Sequence, residues 1–290
     1  MTENVRHIGA IDAPIIICGG AYSNLEALQA MQAEAGKLGF APSRIIHTGD
    51  VVAYAADPAA CAQLLRAWGV HAIQGNVEEQ LAANAADCAC GFAEGTVCDR
   101  LAKGWWAHAD SEVNQDLRDW MGALPHQLTF SLNGRRIRVV HGGVTAINRF
   151  IYGSDGDEVF AEEFAEADCD CVVGGHCGIP FTRFLGNKLW HNSGALGLPA
   201  NDGTPRAWFS IFTPLPDGAI RFEHCPLDYD HLEAQRKMRA CGLPEDYAQA
   251  LSSGLLAEGN ALSPAEQAKA GLRLNFEPVV WPAGIRQAAE

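Results

Sequence analysis

A continuous apolar run at 14–18 predicts a buried strand, and residues 24–38, NLEALQAMQAEAGKL, then carry apolar positions at helical spacing with Asn24 near the cap. Residues 44–48 read as the next strand. Asp57-Pro58 opens a second helix, with proline at a tolerated first-turn position, and a strand over 70–74 follows. This βαβαβ order predicts parallel strands joined by right-handed crossovers. Residues 98–123 read as one or two Trp-rich helices inserted before a hairpin over 127–141, whose turn is Asn133-Gly134. A helix near 157–167 precedes a strand that ends at His176. Strands near 181–191 and 206–224 read as antiparallel, which fits two packed sheets covered by helices. After Pro226 the pattern turns helical, near 229–241 and 244–254, and then loosens into a C-terminus with Pro278 and Pro282. No internal repeat or low-complexity tract interrupts it.

Four of the apolar runs end in the same way: IIHTGD closes on Asp50, AIQGN on Asn76, RVVHGG carries His141 and CVVGGH closes on His176. A strand, a small residue and then a metal-type ligand, four times over, describes a divalent metal site at the carboxyl edge of an α/β sheet. Oxygen and imidazole donors of this kind suit Mn, Fe, Zn or Ni. A lone histidine in such a place reads equally well as a hydrogen-bonded strand end. Four together favour the metal.

At 290 residues and 48% hydrophobic content the chain can bury a full core, as one large α/β domain or as one domain with an appendage. No apolar run approaches the roughly 18 residues that span a bilayer, and the N-terminus lacks a charged-then-apolar signal pattern, so a cytoplasmic location is expected. The formal charge of −14 repels nucleic acid backbones and points to a small-molecule substrate, with homo-oligomerisation left open. The ten cysteines are expected to be thiols or metal ligands rather than disulfides. Cys61, Cys225 and Cys241 read as small buried packing residues, and alternation in Asp168-Cys169-Asp170-Cys171 predicts both thiols on one face. Cys88, Cys90 and Cys98 differ. They lie in a glycine-containing loop about three helical turns beyond Asn76, close by connectivity to the metal edge.

These blocks resemble the calcineurin-like metallophosphoesterases, especially the small bacterial branch. The matching segments are Asn24-Leu25-Glu26-Ala27-Leu28, Gly49-Asp50-Val51-Val52-Ala53-Tyr54 with Asp57-Pro58, Gly75-Asn76-Val77-Glu78, His141-Gly142-Gly143, Gly175-His176-Cys177-Gly178-Ile179-Pro180 and Asn192-Ser193-Gly194. They occur in the family's order over about residues 14–224. The resemblance implies a four-layer αββα sandwich in 1–225, with a Cys- and Trp-rich helical insertion about 87–123, and a helical C-terminal extension over 226–290. It implies that Asp50 bridges two metals and that Asn76, His141 and His176 complete the second. It also exposes departures, because the family's first-metal ligands align with Gly20, Tyr22 and Gly178 and its usual acid aligns with Val77.

The expected function is therefore a metal-dependent phosphoesterase-type hydrolase of a small molecule with an atypical metal centre. The alternatives are a non-hydrolytic metal or ligand-binding protein, and an enzyme whose thiol-modified centre runs non-phosphoryl chemistry. Tyr22 is read as a phenolate ligand, a proton donor or a plug, and Tyr22, Glu78, Arg149 or a replacement ligand as the group that serves the leaving oxygen, unless the reaction is a different one. Arg149 and His191 are expected substrate contacts, with a surface ion pair and a buried structural histidine as their respective alternatives. Cys88, Cys90, Cys98 and Cys177 are candidate additional ligands, with a separate zinc site or plain packing also open.

Overall fold

The computed structural model describes residues 4–91, 95, 97–257 and 261–283. In chain order the elements are β1 (Val5–Ile11), β2 (Ile15–Cys18), α1 (Leu25–Lys37), β3 (Ile45–His47), α2 (Pro58–Trp68), β4 (His71–Ala72), α3 (Asn76–Ala82), α4 (Val97–Glu112) and α5 (Gln115–Gly122). There follow β5 (Gln127–Leu132), β6 (Arg135–Val139), α6 (Asp157–Ala167), β7 (Cys171–Gly174), β8 (Phe181–Leu185), β9 (Lys188–Asn192), β10 (Ala207–Pro214) and β11 (Ile220–Leu227). Helices α7 (His231–Ala240), α8 (Glu245–Ser253) and α9 (Pro264–Gln267) and strand β12 (Val279–Trp281) complete them.

The strands form two six-stranded sheets, ordered β1-β5-β6-β7-β9-β8 and β12-β11-β10-β2-β3-β4. Strands β2, β3 and β4 run parallel, as do β6, β7 and β9, so within each sheet these strands end at a common edge. Strand alternation builds the layers. Ile15 and Ile17 enter the core between the sheets with Ile46, Phe130, Val139, Val173 and Phe212, whereas Ile16 and Cys18 turn outward under α1 and α2. Each of these isoleucines is fully buried, which contributes about 2–3 kcal/mol apiece of transfer free energy. On the other sheet Phe160 and Phe164 of α6 cover Val172 and Trp190. The result is the expected αββα sandwich.

Of the one or two helices expected over 98–123 there are two, because Asn114 caps α5 with its side chain accepting from the Leu117 amide. The runs near 181–191 and 206–224 are each a hairpin, β8–β9 and β10–β11. Two strands were not anticipated. Strand β1 adds parallel to β5 at one edge, and β12 pairs with β11 inside the C-terminal segment expected to be helical and loose. Helix α7 of that segment packs against α1, where Lys237 Nζ lies 2.5 Å from Glu26 Oε1, and it reaches Asp57 Oδ2 at the start of α2 at 2.9 Å.

Three cysteine expectations are corrected. Cys169 and Cys171 do not share a face: Asp168 takes a left-handed φ of 39° and Cys169 precedes the strand, so Cys169 joins the α6 side while Cys171 joins the inter-sheet core. Cys241 is exposed, because it caps the C-terminus of α7 rather than lying on its packed face. Cys88 and Cys90 form a disulfide across Ala89, whose φ of 46° turns the chain so that the two Cα atoms lie 5.2 Å apart. Among the described residues no helix is long and apolar enough to cross a membrane.

Candidate metal centre

Asp50, Asn76, His141 and His176 lie two to four residues beyond the ends of β3, β4, β6 and β7, and they meet between the two sheets. The hub is His141 Nε2. It lies 3.1 Å from Asp50 Oδ2, 3.2 Å from Asn76 Oδ1 and 3.0 Å from His176 Nδ1. The carboxylate and the two imidazoles offer ligand atoms within 4.8 Å of one another. Such close approach of strand ends requires glycine: a Cβ on Gly75 would sit 2.1 Å from Asp50 Oδ1.

The surroundings fix what each donor atom presents. His141 Nδ1 donates to the Thr48 carbonyl at 2.7 Å, which places the lone pair of the neutral ring on Nε2. Asn76 Nδ2 donates to the Cys88 carbonyl at 2.8 Å, which turns Oδ1 toward His141. Asp50 is held from behind by Glu78, whose fully buried carboxylate accepts from the amides of Asp50 at 2.6 Å, Gly75 at 2.8 Å and Val52 at 3.3 Å. Lone pairs from Asp50, Asn76, His141 and His176 thus converge, and only a proton or a cation can satisfy them together. Tetrahedral coordination at about 2.1 Å places donors about 3.4 Å apart, close to the spacing around His141. The residues present fit a divalent metal.

The electrostatics agree. Burial works to lower the His141 pKa, but the Asp50 carboxylate beside it and the Thr48 carbonyl more than reverse this and raise it. Burial likewise works to raise Asp50, and His141 outweighs it and lowers the carboxyl. His176 is pushed down to about 3 by burial, with His141 adding to the effect. Glu78 is pushed up to about 7 by burial and by Asp50. A proton on His141 is the natural substitute for the metal, so metal and proton compete for this cluster.

Tyr22 occupies the space beside it. A Cβ built on Gly20 would lie 2.3 Å from Tyr22 Cε1, and one on Gly178 would lie 3.5 Å from Tyr22 Oη, so the ring spans the two aligned positions that lack a donor. Burial, and then Asp50, push its hydroxyl well above the usual tyrosine range. Tyr22, Asp50, Tyr54 and His176 all have positive φ, a concentration of backbone strain around one site.

The remaining expected site residues have these surroundings, with Cys90 and Cys177 beside the cluster. The Arg149 guanidinium is 2.6 Å from both Glu162 Oε2 and Glu163 Oε1 on α6, and Glu163 also accepts from the Val144 amide, so Arg149 braces the loop after His141. His191 is fully buried between Thr182 Oγ1 at 2.9 Å and Ser210 Oγ at 2.8 Å, stacked on His224. Cys90 Sγ lies 3.6 Å from Asn76 Nδ2, and Cys177 Sγ lies 3.1 Å from Asn192 Nδ2, its thiol pushed up to about 12 by burial. The side chain of Cys98 lies outside the described residues. Sequence reasoning missed the bracing role of Thr48, which acts through its backbone, and missed Tyr54, Phe150, Tyr152 and Tyr247, which line the cleft beside His176. Only Tyr54 carried a signal, within the Gly49–Tyr54 block.

Comparison with known proteins accords with this geometry. No curated protein matches the chain. A metallophosphoesterase from Sphaerobacter thermophilus superposes with a TM-score of 0.66 at 23% identity, over 84% of this chain and 100% of that one. A hypothetical protein from Pyrococcus horikoshii superposes with a TM-score of 0.70 at 15% identity, over 84% and 99% of the two chains. The sequence model of the calcineurin-like phosphoesterase superfamily domain matches residues 15–212. Two stacked sheets, strand-end ligands that converge on His141 and a family match over most of the chain lead to one assignment: the chain belongs to the calcineurin-like phosphoesterase superfamily.

Proposed function

We propose that the protein is a metal-dependent phosphoester hydrolase of small molecules, built around one divalent transition metal, Mn, Fe, Zn or Ni, held by Asp50, Asn76, His141 and His176. The observation that carries this reading is the set of lone pairs converging on His141 Nε2. When bound, such an ion polarises a phosphoryl oxygen and brings a bound water toward a pKa of about 7. The protein's part is positional. Thr48 sets the His141 tautomer, the Cys88 carbonyl aims Asn76, and Glu78 ties the Asp50 turn to the start of α3. Tyr22 keeps its proton, fills the volume beside the ion and offers a hydroxyl donor to a departing oxygen.

A second reading, a non-hydrolytic metal-binding protein, is favoured by the burial of Asp50, Asn76 and His141, which are 3%, 0% and 2% exposed. Elemental analysis with a panel of phosphomonoesters and phosphodiesters separates the two. Hydrolysis is expected in the metal-loaded protein, with loss of both metal and turnover in Asp50→Ala and His176→Ala. One firmly bound ion without turnover on any ester would instead establish the second reading. Full metal retention in both variants would refute the ligand set.

A further inference from the structure

Beside the ligand cluster lies a cleft, and His176, Gly178 and Tyr22 contribute to its wall. Aromatic rings from distant parts of the chain line it. Tyr22, Tyr54 and Tyr247 form one group, with ring centroids 5.0 Å apart for Tyr22–Tyr54 and 4.7 Å for Tyr54–Tyr247. Phe150 forms another, 6.0 Å from Tyr152 and 4.2 Å from the His176 ring. Among the described residues the lining holds no lysine and no arginine. Arg149, next to Phe150 in sequence, is committed to Glu162 and Glu163.

This composition restricts what can enter. A divalent ion with the Asp50 carboxylate would leave at most one net positive charge, since the buried Glu78 carboxyl behind Asp50 can only lower it and the neutral ligands Asn76, His141 and His176 add none. A phosphodiester carries one negative charge and balances it. A dianionic monoester, or a substrate with a second phosphate, would bring charge into an apolar cleft whose described lining offers no lysine or arginine to pair with it. An apolar or aromatic arm, in contrast, exchanges water for ring faces and aliphatic side chains.

We propose that the substrate is a phosphodiester monoanion with at least one aromatic or otherwise apolar arm, which occupies the cleft formed by Tyr54, Phe150, Tyr152 and Tyr247. This rests on reading Asp50, Asn76, His141 and His176 as the metal centre. Hydrolysis adds water across one P–O bond and yields a phosphomonoester and an alcohol. The dianionic product is poorly matched to the site, which favours its release.

The test is calorimetric binding to the manganese-loaded protein of diphenyl phosphate, dimethyl phosphate, phenyl phosphate and inorganic pyrophosphate, with turnover of bis(p-nitrophenyl) phosphate measured in parallel. A ring that removes roughly 100 Å² of apolar surface from water is worth on the order of 50-fold, so diphenyl phosphate is expected to bind about 50-fold more tightly than dimethyl phosphate. It is also expected to bind more tightly than phenyl phosphate. Leu256→Lys, a half-buried position in the cleft wall, is expected to narrow the gap to phenyl phosphate by about tenfold through added positive charge. Binding that favours diphenyl phosphate without turnover would sustain the cleft assignment while refuting hydrolysis. Turnover with equal or stronger binding of phenyl phosphate or pyrophosphate would overturn the assignment and leave hydrolysis standing. Failure of the loaded protein to bind diphenyl phosphate would also overturn it.

Discussion

Gly20→Ala drives a methyl group into the ring of Tyr22. The added Cβ would lie 2.3 Å from Cε1, 2.7 Å from Cζ and 2.8 Å from Cδ1, whereas carbon atoms rest about 3.5–4.0 Å apart. The ring has little room to retreat: Tyr22 is 5% exposed, its amide donates to the Asp50 carbonyl at 3.1 Å, and Tyr54 packs on its edge. Overpacking of this kind costs about 1–3 kcal/mol, and three overlapping ring atoms place the cost near the upper end. Tyr22→Ala alone removes the ring. That loss approaches the roughly 3–5 kcal/mol of an enclosed aromatic, less what is saved because the ring borders the cleft. In the double variant the new methyl group enters vacated space, so the clash disappears and the total is expected to match Tyr22→Ala alone. The coupling is therefore about 1–3 kcal/mol in favour of the double variant. Urea unfolding of the four proteins in chelator measures it without a contribution from metal binding. Additivity within about 0.5 kcal/mol would refute the steric argument, and with it the placement of Tyr22 in this volume.

Glu78→Ala strips the amides of Asp50, Val52 and Gly75 of their acceptor; unfolding is expected to be easier by about 3 kcal/mol and metal affinity to fall about 10–100-fold, whereas an unchanged metal titration would refute its bracing role. His224 is pushed down to about 3 by burial, so the folded chain leaves it neutral while the unfolded chain protonates it near 6.5. Its contribution is complete above that pH and declines as pH falls toward 3, by up to about 1.4 kcal/mol per pH unit, and His224→Gln should flatten the stability profile between pH 5.5 and 4. An unaltered slope in that variant would count against a neutral His224 ring. Restoring donors in the combined variant Gly20→Asp, Tyr22→His and Gly178→His should raise the metal content from about one ion per chain to about two, by elemental analysis. Two ions already bound at this cluster in the natural protein would contradict the one-metal reading.

Much of the candidate site was legible because the chemistry of a parallel sheet concentrates ligands where strands end. Asp50, Asn76, His141 and His176 each follow an apolar run and stand beside glycine, and the parallel strand direction within each sheet brings Asp50 with Asn76, and His141 with His176, to that sheet's edge without any knowledge of side-chain packing. Arg149 and His191 were not legible in that way. The direction of Arg149 is decided by where α6 docks, which sets Glu162 and Glu163 against it. His191 takes its partners from both sheets, Thr182 on its own hairpin and Ser210 on the facing one. Strands β1 and β12 escaped notice for a different reason. Both are edge strands: β1 is only partly buried, and β12 has three residues with Pro278 before it and Pro282 after it. The Cys88–Cys90 bridge depends on the left-handed turn at Ala89, which alanine in a sequence does not announce.

Tyr247 belongs to α8, well past residue 212 where the family match ends, yet its ring helps to wall the cleft beside His176. Strand β12, later still, extends the same sheet that carries β3 and β4. The metal ligands and the cleft therefore answer to different lengths of chain. A fragment cut at the family boundary would keep every candidate ligand atom and lose part of the cleft wall. Chains that share the candidate ligands but differ after β11 would keep most of the cleft wall and change the part that Tyr247, Leu256 and Leu262 supply, beyond the reach of the family match.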